Sequence, residues 1–266
     1  MYEYFDIHSH LYFPDYDKDR EELIKEMKKN KIGSIVVATG YESSLKCIEL
    51  AEKHENLFAC IGQHPEELTN DSVFEQKLEK LGQNDKVVAI GECGLDYFRL
   101  KDDSQKIIQK TIFEYHIDLA LTLDKPLMLH VRPSKGTQDA YLDALAIIEH
   151  HQKTSGGKLR GNAHFFAGDM EILKRLIGIG FTVSFTGVIT FTTDYNELIK
   201  HTPIEMIMSE TDAPFVAPVP HRGERNSSLY VPEVVKKIAD IKGLSVETVK
   251  LAMVSNALRH FSSIAS

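Results

Sequence analysis

Two hydrophobic rhythms alternate along the 266-residue chain. The first is a set of short, almost wholly apolar runs: Tyr4–His8, Ser34–Thr39, Leu57–Gly62, Val87–Gly91, Leu127–His130, Gly161–His164, Thr182–Phe185 and Met206–Glu210. Runs of this length predict parallel strands buried on both faces. The second is a set of longer segments with apolar residues three and four apart. Leu23, Ile24 and Met27 mark a helix over Lys18–Lys29; Leu45, Ile48 and Ala51 one over Ser43–His54; Ile108, Ile112, Tyr115 and Leu119 one over Gln105–Leu123. Tyr141–His151 and Met170–Ile177 continue the series. Pro232–Ile241, with proline just inside its start, and Ser245–Phe261, with Ser245 as N-cap, complete it.

Eight strands alternating with helices over this length predict an α/β fold, a (β/α)8 TIM barrel, for which roughly 250 residues is usual. The expectation is one domain over residues 1–266, without linker or internal repeat. An open doubly wound sheet is the alternative, but it usually has fewer strands, and no Gly-rich phosphate loop follows the first strand. In a barrel, chemistry sits where the strands end, and here the strand ends are polar. The first closes on His8 and His10, whose side chains share one side of an extended chain. The third closes on Gln63-His64, the fourth on Glu92, the fifth on His130 with Arg132 two residues on, the sixth on His164, and the eighth on Glu210 and Asp212.

Each residue has a plainer reading taken singly: His130 as a core histidine, Glu92 as the partner of a lysine, Asp212 before Ala213-Pro214 as a turn former. Together these readings weaken, because several ionisable groups at one barrel mouth are costly without a compensating cation. Four histidines and two carboxylates suffice for two divalent ions with positions left for water and substrate. His64, before Pro65, is a candidate contact for substrate or a third ion. His54, His116, His150, His151, His201 and His260 fall on helices or in the opposite loops and are assigned to surface or packing. Cys93 directly follows Glu92, so its side chain should point away from the metals.

Composition narrows the class. A hydrophobic fraction of 42% and a charged fraction of 26% are those of an ordinary globular protein. The net charge of −8 argues against a broad electrostatic grip on nucleic acid, but not against a nuclease whose positive charge resides in metal ions. Cys47, Cys60 and Cys93 form no C-x-x-C pair and suggest reduced thiols in a cytoplasmic protein. No signal-peptide pattern and no 18-residue apolar run is present, so no membrane association is expected. No obligate protein partner is evident.

The strand ends fall within longer motifs: Asp6–Leu11 (DIHSHL), Gly62–Pro65 (GQHP), Ile90–Tyr97 (IGECGLDY), His130–Arg132 (HVR), His164–Gly168 (HFFAG), Val183–Phe191 (VSFTGVITF) and Glu210–Gly223 (ETDAPFVAPVPHRG). In this order, across essentially the whole chain, they resemble the TatD-type metal-dependent deoxyribonucleases of the amidohydrolase superfamily. The resemblance implies a TIM barrel, divalent metal ions and hydrolysis of DNA phosphodiesters, exonucleolytically, with DNA as the partner. It puts the metal ligands on His8, His10, Glu92, His130, His164 and Asp212, and Mg²⁺ or Mn²⁺ as the usual ions. Ligand chemistry alone favours a transition ion such as Zn, Fe, Ni or Co, because imidazole suits these better than Mg²⁺.

The mechanism that follows has Glu92 bridging two ions, one held by His8, His10 and Asp212, the other by His130 and His164. Glu92 and Asp212 are its catalytic pair, with Asp212 orienting the attacking water or taking its proton. Arg132, His64 and Arg222 are the candidate substrate contacts. Arg132 has a rival reading as a salt-bridge partner of Glu210 or Asp96. Asp6 and Glu210 are expected to orient ligand histidines, and Tyr97 and Phe98 are either base-stacking or packing residues. The chain departs from the family pattern at His164-Phe165-Phe166-Ala167-Gly168, where H-C-F-S-G is usual, and at Glu224, where lysine is frequent. Competing functions are hydrolysis of another ester or amide on the same centre, for example an aminoacyl-tRNA ester, and a non-catalytic metal- or nucleic-acid-binding module. Glu92, standing where related amidases and phosphotriesterases commonly carry a carboxylated lysine, favours the nuclease.

Overall fold

A computed structural model describes residues 2–67 and 72–264. Eight parallel strands form one sheet in sequential order: β1 (Tyr4–Ser9), β2 (Ile32–Val37), β3 (Leu57–Ile61), β4 (Val87–Asp96), β5 (Leu127–Arg132), β6 (Gly161–Ala163), β7 (Thr182–Phe185) and β8 (Ile207–Ser209). The ends of the sheet meet. Ser9 bridges Ala213 in parallel, the Asp212 N–H donates to the His8 carbonyl (2.9 Å), and the His10 N–H donates to the Ala213 carbonyl (2.8 Å). The result is the nearly closed TIM barrel expected from the alternating rhythm.

Seven of the connecting helices are those predicted: α1 (Arg20–Lys29), α2 (Tyr41–Lys53), α4 (Ser104–Leu123), α5 (Asp139–Thr154), α6 (Met170–Gly178), α8 (Val231–Lys242) and α9 (Val246–His260). Ser245 caps α9 by accepting the Thr248 N–H (3.1 Å). Pro232 lies in the first turn of α8, and Gly243, at φ 67°, ends that helix. Two helices were not anticipated. The six-residue α7 (Asn196–His201) is too short to show a period, whereas α3 (Ser72–Gly82) carries Phe74, Leu78 and Leu81 at helical spacing.

The largest departure is β4. It was expected to stop at Gly91 and runs to Asp96, because its glycines serve close approach rather than a turn. A Cβ at Gly91 would stand 2.4 Å from the Met128 carbonyl oxygen, and one at Gly94 would stand 2.1 Å from that of His130. The register between β4 and β5 slips between Gly91 and Cys93, and Glu92 stands at the slip.

Two apolar clusters hold the barrel together. The larger joins strands to helices around the ring. The second draws Phe5, Ile35, Phe58, Val88, Met128 and Met208 from six strands, but Val254 and Ala257 from one helix only, α9, with Phe261 just past its end. Side chains from so many strands meet only inside the ring. They fill its lower half, and the end of α9 closes the floor.

Candidate metal centre

The upper half of the ring is polar. Strands β1, β4 and β5 and the segments following β3, β6 and β8 bring five imidazoles and two carboxylates together. Glu92 is at the centre, with each carboxylate oxygen facing a different set. Its Oε1 lies 2.8 Å from His130 Nδ1, 2.8 Å from His164 Nε2 and 3.7 Å from His64 Nε2. Its Oε2 lies 3.7 Å from His8 Nε2 and 3.9 Å from His10 Nε2. Asp212 Oδ1 completes the second set, 3.4 Å from His10 Nε2 and 3.8 Å from His8 Nε2. His8 and His164 stack face to face, ring centroids 3.8 Å apart. Donor atoms of His8, His10 and Asp212, of His8, Glu92 and His164, and of His64, Glu92 and His130 each converge closely enough to hold an ion.

Outer contacts decide what these imidazoles present inward. His10 Nδ1 lies 2.8 Å from the Val37 carbonyl, which can only accept, so Nδ1 carries the proton and Nε2 offers a lone pair. His8 and His164 turn Nδ1 toward Glu210 Oε2, at 3.9 and 3.4 Å, which favours the same tautomer. These two nitrogens and that oxygen are buried without hydrogen-bond partners. His130 donates from Nε2 to Asp96 Oδ2 (3.1 Å) and turns Nδ1 inward. The lone pairs of His8 Nε2 and His10 Nε2 thus confront each other at 3.3 Å, with Glu92 and Asp212 carboxylate oxygens beside them. Acceptor against acceptor in a buried site is repulsive unless a cation lies between, so the residues present fit divalent ions.

The electrostatics are those of a charge cluster. Burial opposes ionisation of Glu92, but His164, His64 and His130 around it hold its carboxyl well below the usual range. Burial likewise opposes ionisation of Asp212, and His10 and His8 nonetheless lower its pKa. Burial lowers the His8 pKa, with the nearby His164 adding to the effect. Burial acts on His164 too, but Glu92 and Glu210 overcome it and raise its pKa well above normal.

A cavity of about 560 Å³ opens over the cluster, lined by His10, His64, Glu92, His130, His164 and Asp212. Arg132 and Arg99 reach it from one side; Phe13, Phe165 and Phe215 wall the other. Arg132 forms no ion pair with Glu210 or Asp96 within 4 Å; its guanidinium stacks 4.0 Å from the ring centroid of the half-exposed Phe98. Arg222 does not reach the cavity and lies over Phe191, 4.2 Å from its ring centroid.

Other expectations sort as follows. Cys93 points into the strand–helix core. Tyr97 is buried and donates its hydroxyl to Asp143 (2.8 Å), so it packs rather than stacks. Glu210 faces two ligand candidates as expected, but Asp6 touches no imidazole. It accepts the Thr211 N–H (2.9 Å) and hydroxyl (2.6 Å) and so ties β1 to the end of β8. Burial raises its pKa to about 7. The sequence offers Asp96 only as a partner for Arg132; in the structure it instead holds His130. The signal was present in the E-C-G-L-D spacing, but is readable only once β4 is known to continue.

Comparison with known proteins gives the family. The family model described as TatD-related DNase matches residues 5–262. The chain belongs to the TatD-related DNase family. It is similar to the metal-dependent hydrolase YabD of Bacillus subtilis, 35% identical over 264 residues and covering 97% of this chain and 98% of the relative. It is also similar to the metal-dependent hydrolase YcfH of Escherichia coli K12, 32% identical over 262 residues, 96% of this chain and 94% of the relative. In fold it matches the crystal structure of YJJV, a TatD homolog from Escherichia coli K12, with a TM-score of 0.87 and 24% identity over 98% of each chain. This TatD-family chain is therefore a metal-dependent hydrolase. Among the described residues, no helix is long and apolar enough to cross a membrane.

Proposed function

We propose that this TatD-family hydrolase cleaves DNA phosphodiesters, as an exonuclease, with two divalent ions at the barrel mouth. The observation that carries the reading is Glu92, whose Oε1 faces His130 and His164 while its Oε2 faces His8 and His10. A carboxylate with one oxygen in each imidazole set suits a bridge between two cations. His8, His10 and Asp212 would hold one, and His130 and His164 the other. When bound, such ions supply Lewis acidity, lowering the pKa of water and offsetting charge on a phosphate.

The chain's own groups do the rest. Asp212 has one oxygen committed toward His10 and His8 and borders the cavity, so its carboxylate is placed to orient a water and take its proton. Glu210 and Asp96 hold the ligand rings in orientation. Arg132, planar and stacked on Phe98, offers a fork of donors to a phosphate. Phe215, half exposed beside His10, supplies a surface on which a base can stack. The cavity also carries Glu66, Glu67, Glu92, Asp96 and Asp212 against Arg99 and Arg132, an excess of carboxylates that repels phosphate unless cations offset it.

The test is cleavage of end-labelled single- and double-stranded DNA across a metal series. We expect chelation to abolish cleavage, Mg²⁺ or Mn²⁺ to restore it, and mononucleotides to be released from one end. Full activity in metal-free protein overturns the metal scheme. Absence of DNA cleavage with every ion overturns the substrate.

A further inference from the structure

Five imidazoles crowd the mouth, and the groups behind them divide them four to one. His8, His10 and His164 each turn Nδ1 toward a carboxylate or carbonyl oxygen, and His130 turns Nε2 toward Asp96. Those outer nitrogens carry the protons, and the inner ones present lone pairs. His64 is wired the opposite way. Its outer Nδ1 accepts the backbone N–H of Glu66 (3.2 Å). An imidazole nitrogen that accepts carries no proton, so in the neutral ring the proton sits on Nε2, the atom directed into the centre.

An N–H cannot ligate a cation. The nearest acceptor for it is His130 Nδ1, 3.2 Å away, and that lone pair is one the metal reading assigns to an ion. Once it is so committed, the closest remaining oxygen is Glu92 Oε1 at 3.7 Å, beyond hydrogen-bond reach. That N–H lacks a fixed protein acceptor, and the cavity it borders is where an anionic substrate would lie. We infer that His64 is not a metal ligand but a neutral hydrogen-bond donor, whose Nε2–H is aimed at a phosphate oxygen of the substrate. This rests on the phosphodiesterase reading for the identity of the anion, though not for the tautomer. It also separates two roles that residue type alone leaves merged, since His64 and His130 are both strand-end histidines beside Glu92.

The experiment pairs binding with turnover in His64→Ala and His64→Gln. Metal content and affinity are measured by titrating Mn²⁺ into chelator-treated protein. Inorganic phosphate binding to the Mn²⁺-loaded protein is measured by calorimetry, and cleavage on a single-stranded oligonucleotide. We expect both variants to keep the wild-type metal stoichiometry and affinity. His64→Ala should weaken phosphate binding about tenfold, the loss of one hydrogen bond to a charged acceptor. It should also lower turnover by roughly 10²-fold, as when one donor to developing charge is removed. His64→Gln, whose amide N–H can reach the same point, should recover much of both. Loss of a bound metal equivalent in both variants makes His64 a ligand and overturns the inference, as does unchanged phosphate binding and turnover in His64→Ala. If the wild type cleaves no DNA but His64→Ala still binds phosphate more weakly with its metal complement intact, the nuclease reading fails and the donor role stands.

Discussion

The floor and the mouth of the barrel are built from opposed materials. At the floor, the apolar side chains of Phe5, Phe58 and Met208 cluster with Val254 and Ala257 of α9 and with Phe261 just past its end. The histidine nearest that region, His260, is buried, and burial pushes its pKa down to about 3. At the mouth, five histidines stand with Glu92, Asp96, Glu210 and Asp212. A single neutral imidazole is tolerated in a packed region. A crowd of acceptors with carboxylates between them needs a cation. The comparison teaches that the floor supplies stability and the mouth consumes it, so the two should separate under mutation.

Two substitutions test that separation, beginning with the largest effect. Glu92→Ala removes the proposed bridge. Losing Lewis-acid stabilisation of about 4 kcal/mol or more is roughly a 10³-fold loss of turnover, and bound metal should fall below two equivalents while the circular dichroism stays that of the folded barrel. Wild-type turnover in this variant would show that the mouth does not work through Glu92. Phe261→Ala should do the reverse. Truncating a fully buried phenylalanine costs about 3–5 kcal/mol of unfolding free energy, read by urea titration, with kcat of the folded protein unchanged. If kcat falls in parallel, floor and mouth are mechanically coupled and the comparison fails.

The smallest effect sharpens the mouth itself. Asp96→Ala should weaken metal binding by about 10–100-fold, as expected for a residue that orients a ligand. Asp96→Asn keeps an oxygen to accept the His130 Nε2–H and should lie closer to wild type. Equal affinity in Asp96→Ala and wild type would mean that packing, not this hydrogen bond, sets the His130 ring. A ligand effect on the whole fold should also appear. An ion at 100 times its dissociation constant adds about 2.7 kcal/mol of stability, measurable as a higher melting temperature with Mn²⁺ than with chelator.

Much of this arrangement is legible in the chain. The apolar runs and their helical spacers predicted the barrel, and the polar residues that close each run named His8, His10, His64, Glu92, His130, His164 and Asp212 as mouth residues. These signals are local: strand periodicity is a property of neighbouring residues, and parallel strands all end on the same side of the sheet. The reading failed where a local signal has two meanings. Gly91 and Gly94 look like a strand's end, but they admit the close approach of β5. With β4 stopped too early, Asp96 lost its place beside His130.

What the sequence determined by itself is which residue types arrive at the mouth. Tertiary structure decided what each does there, because an imidazole's role depends on the partner of its outer nitrogen. Val37 O, Glu210 and Asp96 turn four rings into lone-pair donors, and the Glu66 N–H turns His64 into a proton-bearing one. Three of these partners are remote in sequence from the histidines they orient, and no pattern along the chain announces them. The same holds for Arg222, which the motif suggested for substrate and the fold leaves over Phe191. Proximity in the motif fixes identity, but only the closed ring, with β8 returned to β1, fixes direction.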